Sequence, residues 1–223
     1  MDKILTQENL LFMLKGAGYS LLLALGAILI GCMIGILISS FKLSKSKFLN
    51  AIGFCYVELF RGTPMLLQIL FFYLGVPVLY TRLTGGRMSV NSYVVGLIAL
   101  SFNSGAYQAE LIRSGIQGVD KGQWEAAEVL GISHFTMMKE IILPQAFKII
   151  VPPLVSEFIM LIKDSSLISN IGAIELLYSA QILGKQYYNY LDPLMVAAVM
   201  YLVMTVFVSW LSRKVEKRFA ESD

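Results

Sequence analysis

Four stretches without a charged side chain constrain this chain more than anything else in it. They are residues 16–41, 62–81, 88–109 and 193–212, each 20 residues or longer. As α-helix, about 20 residues cross the ~30 Å hydrocarbon core of a bilayer. Backbone polar groups cannot go unpaired in lipid, so such runs are helices and not open sheet. Nor do they alternate in hydropathy, as the ~10-residue strands of a membrane barrel would. Charged residues make up 15% of the chain and hydrophobic ones 57%, whereas soluble domains carry about 25% charge. The expected fold class is all-α integral membrane, one domain over residues 1–223.

Taken in order, residues 1–18 are polar to mildly amphipathic and read as a short interfacial helix from Glu8 to Gly18. With Met1-Asp2-Lys3 ahead of a full-length apolar run, a cleavable signal peptide is not expected. Five spans follow, at about 19–41, 48–80, 88–112, 147–167 and 193–211. In the first, Gly26, Gly31 and Gly35, with Ala24 and Ala27, offer small surfaces for close helix packing. The second is too long for one straight crossing and is broken at Arg61-Gly62-Thr63-Pro64, where proline lacks an N–H and clashes with the preceding turn. Thr81 to Arg87 reads as a turn, and a short helix is expected over 173–183. Cys32 and Cys55 lie in apolar sequence and read as small buried hydrophobes, and His134 as an ordinary loop histidine.

With the C-terminus inside, eleven lysines and arginines fall on inner segments: 42–47, 113–148 and the tail 213–218. Five fall outside: Lys3, Lys15, Arg82, Arg87 and Lys185. The positive-inside rule therefore predicts an outer N-terminus and a cytoplasmic C-terminus. The polar loop at about 113–146 is then cytoplasmic. It holds a helix too short to span, starting near Lys121 behind an Asp120 N-cap with a capping box to Gln123, and stopped by Gly131. Ser133 opens a second helix, which Pro144 kinks or ends.

That loop carries Glu125-Ala126-Ala127, three residues, Gly131, nine residues, then Ile141-x-Leu143-Pro144. The spacing resembles the EAA loop of bacterial ABC importer permeases with no departure. The resemblance implies the five-helix type I importer permease fold, with a cytoplasmic coupling helix that docks on an ATPase through Glu125, Ala126, Ala127 and Gly131. Residues 58–64, 105–113 and 163–167 are in turn similar to the polar amino acid permeases. This implies two ATPase subunits, a second permease subunit (homodimer slightly favoured over heterodimer), an extracellular amino-acid-binding protein, and residence in the bacterial inner membrane. No cofactor is expected in this chain: it has no Gly-x-x-x-x-Gly-Lys-Ser/Thr sequence, and ATP and Mg belong to the partner ATPase. No nucleic-acid partner is expected.

Charges inside spans are costly and need partners or a cavity. Glu58–Arg61 and Glu110–Arg113 are three apart and can pair on one helix face. In the fourth span Glu157 and Asp164, seven apart, share a face with Met160 between them, while Lys163 points elsewhere. The family resemblance places a ligand at mid-membrane, among the broken second span, the Asn103-Ser104 region and the fourth span. The residues by themselves point to the same place. Unwound backbone at Gly62 and Thr63, beside Arg61, frees N–H groups for an α-carboxylate, and Asp164 can hold an α-ammonium. At Glu157 the sequence departs from the neutral amide of many family members, and a carboxylate there asks for a cationic side chain: arginine, lysine or histidine. The competing readings are a related permease for glutamine or cystine, a secondary transporter, which would need no ATPase-docking loop, and a membrane enzyme, for which no metal cluster or Ser-His pair is present.

Overall fold

Eight helices follow one another in this computed structural model, which describes residues 6–220, with backbone alone for 215–220. Lys3 lies outside the described residues, as do the side chains of Lys217 and Arg218.

Helix α1 (Gln7–Leu43) starts where the Thr6 hydroxyl accepts the Asn9 N–H at 3.3 Å, a side-chain cap. Its 37 residues correspond to about 55 Å of helix. The expected separate helix from Glu8 to Gly18 is thus corrected: it runs unbroken into the first span. Met13 and Ala17 explain why, since both are buried against Leu176, Ala180 and Leu183, and that packing holds the extra turns in line.

The second crossing divides in two. Helix α2 (Lys47–Arg61) ends at Gly62, Pro64 is extended, and α3 (Met65–Thr84) resumes, with a π-helical turn at Phe71–Gly75. A left-handed Gly85 (φ 71°) closes α3. The Asn91 side chain then caps α4 (Ser92–Gln117) by accepting the Tyr93 and Val94 N–H groups. The short α5 (Lys121–Val129) and the long α6 (His134–Ile171) follow. Pro144 does not end α6. A π-helical turn at Met138–Ile142 absorbs the proline, and α-helix continues from Leu143 to Asp164 before a 3-10 end. After left-handed Gly172 come α7 (Leu176–Tyr187), later than the expected 173–183, and α8 (Leu191–Ala220).

Helices α1, α3, α6 and α8 are each long and apolar enough to cross a membrane. Helix α4 has the length, 26 residues, but Asn103, Ser104, Gln108 and Glu110 make it more polar. Most of that polarity is turned inward: Ser104 and Gln108 are buried against α1. The small residues expected to allow this do so. A Cβ at Gly31 would lie 2.7 Å from Gln108 Nε2, and one at Gly35 2.8 Å from Gln108 Cβ. The main core joins Ala24 and Ala27 of α1, Ile69 of α3, Ala99 and Leu100 of α4, and Ile162 and Ile168 of α6. Large apolar side chains such as Leu22, Met33, Leu202 and Phe207 stay exposed, the arrangement that lipid solvates and water does not. Cys55, expected to be buried, is exposed on α2; Cys32 is half-buried.

Two clusters around acidic side chains, one part-buried and one buried, pin the helices to one another. Glu110 accepts from Arg113 on its own helix at 3.0 Å and from Lys42 of α1 at 2.7 Å. The predicted Glu110–Arg113 pair is therefore present, with a second cation that spacing alone does not show. Glu175, buried, caps α7 by accepting the Leu177 and Tyr178 N–H groups. It also accepts from Ser20 of α1 at 3.3 Å and Tyr201 of α8 at 2.7 Å.

Candidate functional site

At the break, Gly62 is required by close approach: a Cβ there would sit 2.5 Å from the Glu58 carbonyl oxygen. The Gly62 N–H is not free for a ligand, contrary to the expectation from the unwound backbone. It donates to Glu58 C=O at 2.8 Å, because residue 62 continues the turn of α2 for one more bond. Thr63 Oγ1 donates to Leu59 C=O at 2.7 Å. The Glu58–Arg61 pair does not form among the described residues. Arg61 instead lies over the Tyr107 ring, 5.1 Å from its centroid, an attraction between cation and aromatic face. A partner 46 positions away thus wins over one three away.

Across from the break, Asn103 of α4 donates Nδ2 to Phe60 C=O at 3.0 Å and to Gln68 Oε1 at 3.0 Å. Its amide nitrogen is committed to the break, and its amide oxygen has no donor among the described residues. Ser104, one residue on, is fully buried and accepts from Gln108 Nε2 at 3.0 Å.

Glu157 projects from α6 toward this region and is 8% exposed. Three groups bear on its carboxylate: the Ser104 hydroxyl, the Asp164 carboxylate and the Arg61 guanidinium. No described cation pairs with it within 4 Å. Met160, one turn from each of the two acids on the same helix, is exposed at 49%. Asp164 is half-buried and Lys163 exposed. The fold thus brings Arg61, Asn103, Ser104, Glu157 and Asp164 into one neighbourhood from three helices distant in sequence. Sequence reading does not single out Gln68, although an amide four residues after a helix-breaking proline is the signal for it.

At the opposite, loop-bearing end, α5 begins at Asp120, whose side chain accepts the Gly122 N–H at 2.7 Å. The Gln123 side chain does not close the capping box; it accepts from Gln145 at 3.4 Å. Gly131 is left-handed, at φ 68°. Ala127, predicted to be at an outward contact, is only 1% exposed, buried against Ile116, Met137, Ile142 and Ala146. Glu125, Ala126 and Gly131 are exposed. Beside them Val129 (87%), Leu130 (75%) and Phe135 (77%) form an uncovered apolar tip.

Residues 27–221 match the family model for the inner membrane component of binding-protein-dependent transport systems. The chain belongs to this permease family. It is a transport subunit whose ATPase is a separate chain. The permease is 41% identical over 214 residues to a putative glutamine transport system permease protein GlnP of Rickettsia bellii, covering 96% of this chain and 95% of that one. It is 36% identical over 223 residues to the arginine transport system permease protein ArtQ of Bacillus subtilis, covering 100% and 99%. Among solved structures, an amino acid ABC transporter crystallised with histidines matches at TM-score 0.86 and 39% identity, over 93% of this chain and 94% of that one. The MetNI methionine transporter, at 17% identity and TM-score 0.75, shares the fold.

Proposed function

We propose that this permease is the translocation subunit of an ATP-driven amino acid importer and that its ligand is a basic amino acid, arginine before lysine or histidine. The observation that carries the reading is Glu157. It is a buried carboxylate with a second acid, Asp164, on the same helix and no ion-pair partner among the described residues. A guanidinium would satisfy it through a two-pronged charge-assisted hydrogen bond. Asp164 takes the α-ammonium, Met160 packs on the aliphatic stem, and Arg61 faces the α-carboxylate beside the break at Gly62 and Thr63. Asn103 offers its free amide oxygen, and Ser104 steadies Glu157. A neutral ligand would leave Glu157 unpaired, at a cost. The relative named for arginine and the neighbour crystallised with histidines support this reading. The relative named for glutamine favours the second one, a neutral polar ligand.

Coupling runs through the tip of α5 and the start of α6. Val129, Leu130 and Phe135 dock on the ATPase with Glu125, Ala126 and Gly131 at the edge, and Ala127 anchors α5 to α6 from within. The assembly has two ATPase chains, which hold ATP and Mg2+, two copies of this permease, and an extracellular binding protein. The N-terminus lies outside the inner membrane and the C-terminus in the cytoplasm.

Equilibrium binding of labelled arginine to the purified permease–ATPase complex, with unlabelled glutamine as competitor, tests the ligand. Arginine should win in the wild type and lose its advantage in Glu157→Gln. An unchanged preference, or a wild type that prefers glutamine, refutes it. Cysteines placed at 82–87 should react with an impermeant reagent from outside, and a cysteine at 121 only after permeabilisation; the reverse would overturn the orientation.

A further inference from the structure

Because Pro64 has no N–H, the Phe60 carbonyl four residues back loses its helical donor. At membrane depth a carbonyl freed in this way needs another donor. Two side-chain amides supply one. Gln68, buried one turn into α3, reaches back across the break, and its Nε2 donates to Phe60 C=O at 2.8 Å, Thr63 C=O at 3.1 Å and Thr63 Oγ1 at 2.9 Å. Its Oε1 accepts from Asn103, which also donates to Phe60 C=O. A primary amide has two N–H groups and one carbonyl oxygen, and Gln68 commits all of them here. One side chain therefore joins the end of α2, the start of α3 and the middle of α4. Thr63 is held from both sides, by Gln68 and by its own bond to Leu59 C=O.

We propose that Gln68 is a positioning residue for the ligand site, fixing the backbone of residues 60–63 through its amide, with Asn103 as the link to α4. The proposal rests on reading the break as part of that site. Gln68 itself touches no ligand; it acts through Arg61, Gly62 and Thr63. Leucine at 68 keeps the size and loses every bond, leaving Asn103 as the sole donor to Phe60. Asparagine at 68 falls one methylene short. Exchanging the two amides, as Gln68→Asn with Asn103→Gln, moves that methylene to the other side and restores the span between α3 and α4.

The experiment uses the permease–ATPase complex in lipid nanodiscs, with two readouts. In Gln68→Leu, amide hydrogen exchange should accelerate by at least about tenfold at residues 61–66 alone, a locality that general destabilisation would not give. Binding of arginine and of glutamine should both weaken by about tenfold. The exchanged pair should recover both readouts in part, since the longer amide of Asn103→Gln still serves Phe60 C=O and meets the shorter one of Gln68→Asn, where Gln68→Asn alone recovers neither. Unchanged exchange at 61–66 overturns the proposal, and so does accelerated exchange with binding intact. If Gln68→Leu does not assemble, Gln68→Asn against the exchanged pair decides by the same two readouts. A wild type that prefers glutamine refutes the basic-ligand reading only, and the effect of Gln68 is then read on glutamine. A wild type that binds neither refutes the ligand site, and local exchange with its recovery in the exchanged pair decides the role of Gln68.

Discussion

The chain breaks at Pro64 and runs through Pro144, Pro152 and Pro153. Each of these prolines deprives a carbonyl of its donor, yet only one divides a helix. At Pro144 the ladder widens into a π-helical turn over Met138–Ile142, and the Gln145 side chain donates to Ile141 C=O at 2.9 Å. The axis survives. At Pro64 the widening is not available, because α2 makes its last helical bond at Gly62 and Pro64 is extended at ψ 136°. There the carbonyl is served by amides from other turns and another helix. A proline thus sets a demand, and its neighbours choose whether the backbone bends around it or parts. Where it parts, the buried acid Glu157 and the cation Arg61 gather; where it bends, the loop end carries an apolar tip.

The contrast can be broken most severely at Gly62. Gly62→Ala forces a Cβ to 2.5 Å from a backbone oxygen, strain of about 1–3 kcal/mol. Uptake should fall by more than about tenfold while membrane insertion persists; wild-type uptake would show that the geometry of the break is immaterial. Gly131→Asp comes next. It places a side chain at φ 68° beside the exposed tip, for about 1–2 kcal/mol of strain. ATP hydrolysis should persist while uptake falls about tenfold, and normal uptake would remove the docking assignment. Pro64→Ala returns the missing N–H, in competition with Gln68 for Phe60 C=O, and should lower uptake about threefold to tenfold. Pro144→Ala should be smallest, within about twofold in uptake and about 1 kcal/mol in stability. A larger loss there than at Pro64 would invert the comparison.

Much of this was readable from residues alone. Gly62 with Pro64 marks the break, Gly31 and Gly35 mark a close helix contact without naming its partner, and Asp120, Ser133 and Gly131 mark the ends of the loop helices. These are local signals, set by backbone chemistry within a turn or two. What was not readable depends on groups far apart in sequence. Spacing allows Glu58 to meet Arg61, but Tyr107 takes the guanidinium. Ala127 faces inward because Ile142 and Ala146 of α6 lie beneath it. Glu175 is a weak capping type by propensity, and its site exists only where α1 and α8 converge on it. Nothing near Pro144 encodes whether the helix widens or stops.

ATP-driven uptake tests the account most directly. The permease would be reconstituted with its ATPase and binding protein in liposomes, with labelled arginine on the binding-protein side and ATP on the ATPase side. The account predicts concentrative arginine uptake that requires ATP, resists excess glutamine in the wild type, and loses that resistance in Glu157→Gln. Uptake independent of ATP, or wild-type uptake abolished by equimolar glutamine, would contradict it.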